Sequence, residues 1–166
     1  MEGSDILQTI AEVSVALTGF TGIVVALGGR AATPLSGFAL VRFRILLVAS
    51  LLALGLALLP FFLHYLRVPP GAAWSICSAV VAITMIPIVI HDTRAFRIYA
   101  DEIPKLDRQV APLVVLGGTA MWVTQLANVI FLHSFAPFLA APLWFLGFSA
   151  FQFSRLVLST QDTTPQ

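Results

Sequence analysis

Five long apolar runs dominate this chain, and they leave few folds open to it. A helix needs about 20 apolar residues to cross a hydrocarbon core of about 30 Å. Residues 6–29, 45–64, 72–91, 111–132 and 135–158 all meet that requirement. Only Gln8, Glu12 and small hydroxyls interrupt the first run, the second carries no charge, and Arg155 stands near the end of the fifth. Backbone groups in lipid find no water to bond, so each run must be helical. Strands of a membrane barrel alternate polar and apolar residues, and these runs are continuous. The expected fold is all-α: one polytopic integral membrane helical bundle of five transmembrane helices, spanning residues 1–166 as a single domain.

Composition agrees. Charged residues make up 10% of the chain, against roughly 25% in a soluble domain. That excludes an ordinary soluble enzyme and a disordered chain. The net charge of +1 gives no basis for nucleic-acid binding. Cys77 is the single cysteine, so neither an internal disulfide nor a cysteine metal cluster can form. Met1 to Asp5 lack Lys and Arg, so the first run is expected to be retained rather than cleaved as a signal.

The connections read as short. Thr33-Pro34 and Ser36-Gly37 supply turn and cap residues, and Ser36 can start a helix that continues through Arg42 and Arg44 into the second span. Pro69-Pro70-Gly71 breaks spans two and three, and His133-Ser134 makes spans four and five an antiparallel hairpin. Residues 92–110 form the longest polar connection, expected as a cytoplasmic loop that opens with a helical extension of span three. Phe96, Tyr99 and Ile103 share a face of that extension, expected along the membrane interface, and Arg97 can pair with Asp101 at i, i+4.

Basic residues set the orientation. Arg30, Arg42, Arg44, Arg94, Arg97, Lys105, Arg108 and Arg155 fall on one side, and Arg67 alone falls on the other. The N-terminus is therefore expected outside and residues 159–166 inside as a short cytoplasmic tail, most simply in a bacterial inner membrane. Tyr65, Trp74, Phe131 and Phe135 are then expected at the outer interface.

Within the first span, Glu12, Ala16, Gly19, Gly22, Ala26 and Gly29 lie on a stripe about 120° wide at 100° per residue. Small residues let helix backbones approach closely in lipid, so Ala16, Gly19, Gly22 and Ala26, with Gly118 on span four, are expected helix-packing positions. Glu12 is the most informative residue, because an ionisable group within a span is costly and points to function. Gln125 and Asn128 share a face of span four and lie at roughly the same depth as Glu12. Together the three are expected to form a polar layer and the candidate transport site, leaving the Phe-rich fifth span free to face lipid. His64, His91 and His133 stand at span ends with no ligand spacing, so no metal or other cofactor is expected.

No nucleotide-binding, hydrolase or metalloprotease motif occurs. The reading is a homo-oligomeric channel or transporter for an ion or small solute. The alternative is a non-catalytic scaffold or assembly subunit of a larger membrane complex. In either case the expected partners are the lipid bilayer and other membrane subunits.

Overall fold

The computed structural model describes residues 3–28 and 37–161, without the side chains of residues 24–28, 39 and 156–161. Arg30, residues 33–36, the Ala26 side chain and the end of the tail thus lie outside the described residues. Five helices make up the fold: α1 (Ser4–Gly28), α2 (Gly37–Tyr65), α3 (Pro70–Ile98), α4 (Lys105–Ala127) and α5 (Phe135–Gln161). Among the described residues there is no strand. All five helices are long and apolar enough to cross a membrane, which suggests an integral membrane protein.

The second helix is described from Gly37 and continues through Arg42 and Arg44. The segment 92–110 is not an open loop. Helix α3 runs on to Ile98, a 3-10 turn covers Ala100–Glu102, and α4 starts at Lys105. Pro104 stands just before Lys105 with extended dihedrals, which starts the new helix. The backbone turns after Ile98, and no ion pair between Arg97 and Asp101 forms among the described residues.

Helices α2 and α5 form the most extensive pair, α3 and α4 pack on one side of it, and α1 lies against α2 and α5 on the other. The expectation that α5 would face lipid is therefore corrected. Phe138, Ala141, Phe145, Ser149 and Gln152 of α5 are all buried. Their i, i+3, i+4 spacing forms one continuous inward stripe, with small residues where α2 comes close. Ala49, Ala53 and Ala57 are the matching buried small residues of α2.

Aromatic packing closes the end of the bundle that holds the start of α1. The Trp74 ring lies 5.1 Å from Phe135 and 5.7 Å from Phe138, centroid to centroid. Gly3 adopts φ +67 beneath the Phe135 ring, where a Cβ would fall 2.0 Å from a ring carbon. Trp74 and Phe135 are thus core residues, whereas Tyr65 and Phe131 are exposed. Length and hydrophobicity do not tell a belt aromatic from a core one.

Candidate functional site

Three polar groups stand out against the apolar bundle. The first is built around Asn128, where α4 passes into a π-helical turn at Asn128–Leu132. Asn128 is fully buried. Its amide donates to Ser78 Oγ at 2.7 Å and to the Ser134 carbonyl at 3.1 Å, while its Oδ1 accepts the Ser134 N–H at 3.0 Å. His133 takes the left-handed conformation, φ 48, which turns the chain into α5 within two residues. Its Nδ1 lies 2.6 Å from Ser75 Oγ. One turn earlier, fully buried Gln125 donates to the Pro137 carbonyl at 2.8 Å. These contacts fasten the α4–α5 hairpin to itself and to α3.

The second group is on α1. Leu7, Ile10, Ala11, Ser14 and Thr21 are buried and form the seam against α2 and α5. Ser14 and Thr21 donate to the Ile10 and Leu17 carbonyls, so their hydroxyls need no partner from another helix. Glu12 lies on the other side of α1, exposed, and its Oε1 accepts a hydrogen bond from Gln8 at 3.0 Å. Ala16, Gly19 and Gly22 are exposed beside it, and no atom comes within 4 Å of a Cβ built on either glycine.

The expected layer of Glu12, Gln125 and Asn128 is therefore not formed within the chain. Equal depth along two helices fixes a level but not a direction, and α1 packs on α2 and α5 rather than on α4. Asn128 is satisfied by the hairpin backbone and Ser78 instead, and Gln125 donates to the hairpin backbone while its Oε1 meets no partner among the described residues. Among the packing positions, Gly118 would bring a Cβ to 3.7 Å from Trp144, an ordinary contact. Its neighbour Gly117 is the tight one, since a Cβ there would meet the Trp144 ring at 2.3 Å. Among the described residues no helix covers Gly19 or Gly22.

The third group lies at the opposite, basic end and was not anticipated. Arg42 of α2 is only 6% exposed. Its guanidinium bonds Asp107 of α4 and lies over the Phe38 ring at 4.8 Å. Arg155 of α5 reaches the same carboxylate from 3.6 Å. Asp107 thus joins α2, α4 and α5. Beside it the Phe38 N–H, in the first turn of α2, donates to Glu102 Oε2 at 3.0 Å. A carboxylate at a helix N-terminus satisfies an orphan donor and opposes the positive end of the helix dipole. Phe96 packs edge-on against Phe38 at 5.8 Å, and Tyr99 lies against Gly37. The aromatic face at the end of α3 therefore packs on the start of α2. One sequence signal was available: Arg42 and Asp107 are opposite charges just inside the ends of two apolar helices.

Among the described residues, no three of His, Cys, Asp and Glu are close enough together to hold a metal ion. Comparison with protein-family models, with curated proteins and with solved structures finds no match.

Proposed function

We propose that this protein is a non-catalytic membrane subunit that assembles, with a second copy or another helical membrane protein, through the outward face of α1. One observation carries the reading. Gln8, Glu12, Ala16, Gly19 and Gly22 are exposed together on a side of α1 that no helix covers among the described residues. Glu12 stands eight residues past Ser4, about 12 Å along the helix. A carboxyl at such a level is costly against lipid. A neighbouring helix removes that contact and can donate hydrogen bonds, and the glycines allow the close approach this needs.

The two buried amides support the same reading from the other direction. Asn128 spends its amide on Ser78 and Ser134, and Gln125 donates to the Pro137 carbonyl, so both groups hold the α4–α5 hairpin together. In the proposed arrangement the basic end faces the cytoplasm, following the distribution of Arg and Lys, and a bacterial inner membrane fits that asymmetry.

The exposed carboxylate also favours a second reading, an oligomeric channel in which copies of α1 surround water and Glu12 contacts the ion. Two measurements separate the readings. Native mass in detergent reports assembly, and Gly19→Leu is expected to abolish it. Ion flux in liposomes that is lost in Glu12→Gln supports the channel. A complex without flux supports the assembly subunit. A protein that is monomeric in both detergent and bilayer refutes both readings when it also purifies without a partner.

A further inference from the structure

We propose that the cleft between α2 and α3 is a binding site for an anionic phospholipid. The phosphate rests at Arg44 and His91, and one acyl chain lies in the cleft. The inference rests on membrane insertion but not on the α1 interface.

The cleft has a volume of about 270 Å³. Leu51, Gly55 and Leu59 of α2 form one wall, Val80 and Thr84 of α3 the other, and Phe145 of α5 the floor. Thr84 donates its hydroxyl to the Val80 carbonyl, so the lining presents no free donor. Gly55 opens the cleft, since nothing lies within 4 Å of a Cβ built there.

The charge at the basic end of the cleft selects the occupant. Arg44, Leu51 and Gly55 follow at intervals of seven and four residues on α2. His91, Thr84 and Val80 repeat those intervals in reverse on antiparallel α3. Each set therefore lies on one helix face, and Arg44 and His91 stand at the same end. They meet there, with Arg44 Nη1 2.8 Å from His91 Nδ1. Both side chains are exposed.

The His91 ring carries no negative charge to offset that of Arg44. Among the described residues no carboxylate lies within ion-pair distance of Arg44, whereas Arg42 and Arg155 both reach Asp107. Asp92 lies beside His91, 3.6 Å from its Nδ1. Asp92 feels the Arg44 charge only through space, so the exposed guanidinium keeps its donors for a phosphate, which it binds in a fork. Gly55 lies eleven residues from Arg44, about 16 Å along α2. That is about half of a 30 Å hydrocarbon core, the reach of one leaflet's chain. Basic sites between transmembrane helices near the cytoplasmic surface recognise acidic headgroups in this way.

The test uses the full-length protein in nanodiscs made from equal amounts of phosphatidylglycerol and phosphatidylcholine, with retained lipid counted by native mass spectrometry. The intact protein is expected to retain phosphatidylglycerol in preference to phosphatidylcholine. Arg44→Gln should lower that preference about fivefold, the effect of one arginine near an acidic surface. Gly55→Leu should reduce retention of both lipids, because its side chain fills the cleft. Leu51→Trp gives a second test of chain occupancy if Gly55→Leu does not purify. Equal retention of the two lipids by the intact protein overturns the proposal. So does an unchanged preference in Arg44→Gln, or unchanged retention in both cleft variants.

Discussion

Replacing Asn128 by Ala should loosen the α4–α5 hairpin more than any other single change at that end of the bundle. The substitution removes three hydrogen bonds, to Ser78 Oγ, to the Ser134 carbonyl and from the Ser134 N–H. Polar contacts between membrane helices average about 0.6 kcal/mol each and reach about 1.7. Removing one partner also leaves the Ser134 N–H to find another acceptor beside a backbone held in the left-handed region at His133. The expected loss is about 2–4 kcal/mol. Reversible unfolding in mixed micelles, followed by circular dichroism against the fraction of denaturing detergent, measures it. Asn128→Asp keeps the acceptor for Ser134 and should fall between the parent and Asn128→Ala. Ile130→Ala, on the exposed side of the same turn, is the control and should cost little. If Asn128→Ala lies within about 0.5 kcal/mol of the parent, the range of an ordinary surface change, the amide does not fasten the hairpin.

Other changes address the remaining contacts. Asp107→Ala leaves Arg42 and Arg155 without their shared carboxylate. It should cost about 3 kcal/mol, as breaking a buried ion pair does, whereas Arg155→Ala should cost less because Arg42 keeps its partner; micelle unfolding compares the two. Gly117→Ala should destabilise by about 1–3 kcal/mol, since its Cβ would overlap the Trp144 ring, and Gly118→Ala should be tolerated; thermal unfolding ranks the pair. Arg67→Gly should stabilise by about 1 kcal/mol, because Arg67 holds φ 58 without a side-chain partner among the described residues; a lower melting temperature would contradict that.

The helices were legible because each apolar run is far longer than a soluble core requires. Which face of each helix turns inward was much less so. In a soluble protein, water marks the outer face, but lipid is as apolar as a core. On α1 the conspicuous stripe of Glu12, Ala16, Gly19 and Gly22 lies outside, while the seam of Leu7, Ile10, Ser14 and Thr21 lies inside. Nothing in the hydrophobicity of Val13 or Val15 separates those faces. Gln125 and Asn128 were recognisable as groups needing partners, but their partners lie in the neighbouring turn and on α3. Depth along a helix could not reveal that, because it carries no azimuth. The basic end was missed for a different reason. Counting Arg42 as an orientation signal hid its pairing with Asp107, sixty-five residues away.

The outward face of α1 is the centre of this account, and cysteine cross-linking in native membranes tests it most directly. Cys77 is buried, so single cysteines can be introduced on α1 against a quiet background. Cysteines at Ala16, Gly19 and Gly22 should form disulfides between chains, or bridge to a partner, under mild oxidation. Cysteines at Ile6 and Leu17, which point about 140° and 160° away from Gly19 at 100° per residue, should stay free. A helical period in the cross-linking, centred on Gly19, is the predicted result. Uniform cross-linking around α1, or none at Gly19, would contradict the assignment and leave that face to lipid.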